Sequence, residues 1–140
     1  MFGLQVRYLS FFFGLISILS FFNLIYSYYL NLYLNLNTYY WSLIISLIIF
    51  IFFFRIKEKE IKANIYSKIL TVFLGYILIP LILSIPFYFS IYNLTFLNSF
   101  FESISGFTST GFTIFENIKH IDQSLILWRS STQWIGGLYF

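Results

Sequence analysis

The stretch FFESISGFTSTGFTIF, from Phe100 to Phe115, holds eight residues that carry a hydroxyl or are glycine, together with one acid, Glu102. Apolar residues recur at Phe96, Leu97, Phe100, Phe101, Ile104 and Phe107, the i, i+3, i+4, i+7 spacing of a helix. Asn93 or Thr95 is suited to cap its start. The helix is expected to end at Thr108 to Gly111, where Gly111 permits backbone angles that other residues avoid. A short helix that dips into a membrane, followed by a glycine-containing strand that returns, is the layout of a pore loop. There, protein oxygens take the place of an ion's water. An amphipathic helix lying flat on the outer surface has the same spacing, and spacing alone leaves both readings open.

Other chemistries find no support. No nucleophile–base pair, carboxylate dyad or phosphate-binding loop occurs, so the chain is not expected to be an enzyme. It has no cysteine, which excludes disulfides and thiolate metal sites. The single histidine, His120, cannot build a metal site without several oxygen partners. Glu116, Lys119, His120 and Asp122 read as a solvated outer loop.

The elements around this stretch follow from composition. The chain has 140 residues, 59% apolar and 9% charged, with a mean hydropathy of +0.84. Soluble domains carry about 25% charged residues, so these few charges cannot solvate a globule of this size. The chain reads as an all-α integral membrane protein. Its net charge is +3, and placement matters more than size. Arg55, Lys57, Lys59, Lys62 and Lys68 cluster with Glu58 and Glu60 in one segment, which reads as a cytoplasmic loop rather than a nucleic-acid patch.

A spanning helix needs about 20 apolar residues. Tyr8 to Tyr29 meets that length and is too long for the apolar core of a signal peptide. Tyr39 to Phe54 is a second span, with an aromatic start and Arg55 at its end. Ile69 to Tyr88 is a third, expected to kink at Pro80 and Pro86. Ser124 to Phe140 begins a fourth. With the basic loop inside, the N-terminus is also inside, and the segment from Tyr92 to Asp122 faces the outer side. Glu102 and Arg129 pose a common problem, since an unpaired charge at membrane depth is expensive. The economical solution is that they compensate each other or bond nearby carbonyls. Gly106 and the pair Gly136–Gly137 read as places of close helix approach.

The blocks FFESISGFTSTGFT and LILWRSSTQWIGG, in this order and spacing, resemble the first pore repeat of the Trk/Ktr/HKT superfamily of potassium transporters, above all its TrkH-type subunit. The resemblance implies an N-terminal helical hairpin over residues 1–54, a basic cytoplasmic loop over 55–68, and a helix–pore loop–helix repeat of a potassium-channel-like fold over 69–140. It implies potassium transport across a bacterial inner membrane, in a multi-pass chain with a cytoplasmic N-terminus. Thr108, Ser109, Thr110, Gly111 and Phe112 would form one strand of a selectivity filter. Glu102, Gly106, Arg129, Gly136 and Gly137 would support the pore helix and its packing. No cofactor is implied, and no metal beyond the transported potassium ion. The implied partners are the remaining pore repeats or a full-length TrkH-type subunit, a cytosolic nucleotide-binding regulatory subunit and the lipid bilayer, with no nucleic acid. Tyr139 stands where the family pattern has a further glycine, and with one repeat in view the chain reads as truncated. The alternatives are a non-transporting remnant or assembly partner, and a homotetrameric cation pore.

Overall fold

A computed structural model describes residues 5–56 and 65–139, except the side chain of Lys119. Lys57, Glu58, Lys59, Glu60 and Lys62 of the basic segment lie outside the described residues. Helix α1 spans Val6–Tyr29, α2 Leu36–Arg55, α3 Ile65–Leu83, α4 Ile85–Tyr88, α5 Phe96–Phe107 and α6 Gln123–Tyr139, with a 3-10 turn at Ile118–His120. The described residues contain no strand. Three stretches, Val6–Tyr29, Leu36–Arg55 and Ile65–Tyr88, are long and apolar enough to cross a membrane. Helix α6, with 17 residues, is not among them.

The boundaries depart most from the apolar runs in α2 and α3. Helix α2 starts at Leu36, three residues before the expected Tyr39, because the Thr38 amide and hydroxyl both bond the Asn35 carbonyl, at 3.1 and 2.7 Å. Helix α3 starts at Ile65 and continues through Pro80. It breaks at Ser84, so that Pro86 lies at the start of α4 rather than inside a kinked helix. A proline is tolerated in a first turn, where its missing N–H has no intrahelical partner to lose.

The packing inverts the pattern of a soluble protein. Large apolar side chains such as Phe11, Phe22, Phe52, Ile69 and Phe73 are exposed, while Ser20, Asn23, Ser42, Ser46, Thr71 and Glu102 are buried. Where the surrounding solvent is hydrocarbon, polar side chains gain by facing other helices. Helices α1 and α2 form a hairpin sealed by such contacts. The Ser20 and Ser42 hydroxyls pair at 3.0 Å, and Ser10 donates to the Phe50 carbonyl at 3.2 Å. Helix α6 then packs against α5, α1 and, more lightly, α4, and reaches α3 through two side chains. Its Trp128 indole donates to the Leu83 carbonyl at 3.0 Å, capping an acceptor left open where α3 ends. Tyr139 reaches back to the first half of α3, where its hydroxyl donates to the Val72 carbonyl at 3.0 Å.

Candidate functional site, a short helix and the turn that ends it

Helix α5 begins at Thr95, whose hydroxyl oxygen accepts from the Asn98 amide at 3.3 Å, so of the two capping candidates Thr95 is the one used. Its 12 residues extend about 18 Å at 1.5 Å per residue, short of the roughly 30 Å of a hydrocarbon core. Its polar face points inward. Ser99, Glu102, Ser103, Ser105 and Gly106 are buried, and Phe96, Leu97 and Phe101 are exposed. A helix lying flat at a membrane surface would turn its polar face to water. Here that face is spent on protein contacts.

The helix ends in a defined motif. The Ser109 amide bonds the Gly106 carbonyl at 2.9 Å, and the Thr110 amide bonds the Ser105 carbonyl at 3.1 Å. These are the two bonds of a Schellman cap, which needs a left-handed residue between the helix and the continuing chain. That residue is Ser109, with φ of +56°, where glycine was the expected type. Gly111 follows as a second left-handed position, at φ +78°. The chain leaves the helix by two such turns and continues without regular structure through Phe115.

The five residues of the expected filter strand divide into two groups. The carbonyls of Gly111 and Phe112 are held by protein donors. Arg129 Nη2 donates to them at 3.0 and 3.1 Å, and the Ser105 hydroxyl donates to Phe112 at 2.7 Å. The carbonyls of Thr108, Ser109 and Thr110 accept no hydrogen bond among the described residues. The Thr108 hydroxyl turns back to the Ile104 carbonyl at 2.8 Å and that of Thr110 to the Ser105 carbonyl at 3.2 Å. Side-chain hydroxyls thus brace the turn while three backbone oxygens stay open. Open carbonyls can take a dehydrated cation without adding net charge.

Glu102 and Arg129 lie within bonding distance of each other, and Arg129 also bonds nearby carbonyls. Glu102 is fully buried. Its Oε2 accepts from Arg129 Nε at 3.1 Å. Its Oε1 accepts from the Thr113 hydroxyl and the Ile114 amide, each at 2.6 Å. A buried ion pair holds only when its remaining donors and acceptors are also met, and here they meet on the returning segment. The pair ties α5, that segment and α6 into one unit.

The glycines behave differently from one another. A Cβ at Gly106 would overlap the Thr132 hydroxyl, and one at Gly136 would overlap the Phe107 carbonyl. Gly137 has nothing within 4 Å of that position, which corrects its assignment to close packing. Gly111 is also open, so its requirement is the left-handed backbone alone. Tyr139 has a packing partner that the sequence did not suggest. A Cβ at Gly75 would overlap its hydroxyl, and its ring meets those of Phe107 and Tyr76 at 5.2 and 5.4 Å.

Glu116 and His120 are exposed, as expected of a loop, but Asp122 is not free in water. Its carboxylate accepts from Asn35 Nδ2 and the Ser124 hydroxyl, both at 2.8 Å, and its amide donates to the Tyr92 hydroxyl at 2.7 Å. Asn35, fully buried, also accepts from the Ile91 amide at 3.1 Å. This knot fastens the α1–α2 turn to the segments before α5 and before α6. A local signal existed for Asp122, which precedes a helix and caps it through the Ser124 amide at 3.3 Å. None existed for Asn35.

No family model matches the chain, and no solved structure matches it. Curated relatives do. An uncharacterized cation transporter of Methanocaldococcus jannaschii is 32% identical over 127 residues, covering 89% of this chain and 27% of the relative. The Trk system potassium uptake protein TrkG of Escherichia coli is 30% identical over 106 residues, 69% of this chain and 22% of that protein. TrkH of Escherichia coli is 36% identical over 84 residues, 59% of this chain and 17% of that protein. The chain therefore spans about a quarter or less of the length of these relatives. All are named as transporters, not enzymes. With its all-helical, membrane-type architecture, the chain belongs to the family of Trk potassium uptake proteins and related cation transporters.

Proposed function

We propose that the chain supplies one strand of a potassium-selective pore, with α3, α5 and α6 as its helix–pore loop–helix repeat and α1–α2 as a leading hairpin. Thr108, Ser109 and Thr110 present ion-binding carbonyls, and Gly111 and Phe112 anchor the strand. The observation that carries this reading is the row of three unpartnered backbone carbonyls at the end of a helix too short to span. Non-helical backbone at membrane depth persists only where it lines water or is buried in protein. The remaining strands come from the other three quarters of a protein as long as its relatives, or from a full-length subunit. In this reading the N-terminus and the basic segment are cytoplasmic, the filter turn faces the outer side of an inner membrane, and a cytosolic nucleotide-binding subunit regulates the whole.

The test is a chimera in which residues 1–140 replace the matching part of Escherichia coli TrkG, expressed in cells without potassium uptake. The expected result is growth on low potassium. Gly111→Ser in that chimera is expected to raise sodium uptake relative to potassium. A chimera that reaches the membrane folded but moves no potassium would overturn the proposal.

A further inference from the structure

A cavity of about 380 Å³ opens between α1, α2 and α3, lined by residues that include Phe13, Ile49, Phe52, Phe53, Leu78 and Ile82. Every lining side chain is apolar. The volume lies within the roughly 300–1,000 Å³ of pockets that hold discrete small ligands. The pocket is open rather than sealed, and Phe52 at its α2 edge is 65% exposed. All three lining helices are of spanning length, which puts the cavity at hydrocarbon depth. Water gains nothing there, because the site offers it no polar partner.

One end of the cavity is marked by charge. Arg55 closes α2, two residues beyond Phe53 and six beyond Ile49, or about 3 to 9 Å along the helix axis. Arg55 and, on α3, Lys68 are exposed. Among the described residues, neither has a hydrogen-bond or ion-pair partner. Basic side chains at a membrane interface attract anionic headgroups. An apolar slot at hydrocarbon depth with an unpaired guanidinium at its interfacial end matches a molecule of the same two parts. We infer that this cleft is a binding site for one anionic phospholipid, an acyl chain lying between α2 and α3 and the headgroup phosphate at Arg55. The site is separate from the filter turn and does not depend on the pore reading.

The experiment uses the full chain purified in mild detergent, with phosphatidylglycerol and phosphatidylcholine as probes. Native mass spectrometry counts retained lipid, and circular dichroism follows unfolding. The wild type is expected to retain one phosphatidylglycerol and to unfold at a higher temperature when it is added. Arg55→Gln is expected to bind phosphatidylglycerol about fivefold more weakly, the effect of one basic residue at an anionic surface, and to lose the preference over phosphatidylcholine. Leu78→Trp and Ile49→Trp each fill the slot from a different helix and are expected to abolish retention of both lipids. At least one of them is expected to keep the wild-type helical signal, and that variant gives the reading. Three results would overturn the inference: a folded wild type that retains no lipid, undiminished retention in a folded tryptophan variant, or a lipid-free dimer that masks the cleft. An unaltered headgroup preference in Arg55→Gln would remove the phosphate from Arg55.

Discussion

Arg129 sits 3.1 Å from Glu102 and with the same guanidinium holds the carbonyls of Gly111 and Phe112. One side chain therefore neutralises the buried acid of the short helix and fixes the strand that returns from it. Removing either partner leaves a charge with no compensation. Arg129→Gln and Glu102→Gln are each expected to destabilise the folded chain by about 3–5 kcal/mol, while the double variant recovers part of that loss. Arg129→Lys is expected to fail as a replacement, because an ammonium lacks the planar fork that reaches three acceptors. Unfolding by denaturant in detergent, followed by circular dichroism, measures this. Singles no less stable than the double variant would contradict the coupling.

Gly75 and Tyr139 form a second coupled pair. Gly75→Ala is expected to destabilise by about 1–3 kcal/mol, because the added methyl meets the tyrosine hydroxyl in a packed contact. Tyr139→Phe loses a hydrogen bond to Val72, at about 0.5–1.5 kcal/mol. Since the phenylalanine removes the hydroxyl, the nearest of the atoms the methyl meets, while its ring still crowds that position, the double variant is expected to recover part of the loss and to be more stable than the sum of the singles predicts. Strict additivity in a double-mutant cycle would show that the two residues do not meet.

Adjacent glycines offer an internal control. Gly136→Ala drives a methyl into the Phe107 carbonyl and is expected to displace the end of α5 and the filter turn. Gly137→Ala meets open space and is expected to leave stability unchanged or raise it by up to about 1 kcal/mol through helix propensity. Thermal unfolding of the two variants side by side decides the matter. Equal destabilisation would mean that the α5–α6 contact is placed differently.

The Asn35–Asp122 tie is open to a local measurement. Asn35→Ala or Asp122→Ala is expected to speed hydrogen exchange at the Ile91 amide and around Ser124, with a stability loss of about 1–3 kcal/mol. Exchange at the α1–α2 contacts near Ser20 is expected to stay as in the wild type. Unchanged protection at Ile91 in Asn35→Ala would rule out the knot.

What the sequence determined by itself was local. The apolar runs specified three spanning helices, because a bilayer core demands a fixed length of uninterrupted hydrocarbon side chains. The period of Phe96, Phe100 and Phe107 specified the short helix, and two opposite charges, each within a segment expected at membrane depth, pointed to each other. Tertiary structure decided which groups meet. Asn35 and Asp122 are 87 residues apart and carry no pattern that links them. Gly136 and Gly137 are neighbours of one type, told apart only by the face of α6 that meets Phe107. The five filter candidates share one chemistry along the chain, yet Arg129, arriving from α6, claims the carbonyls of Gly111 and Phe112 and leaves those of Thr108, Ser109 and Thr110 open. Periodicity records which way a residue faces on its own helix. Which partner waits there depends on the path of the whole chain.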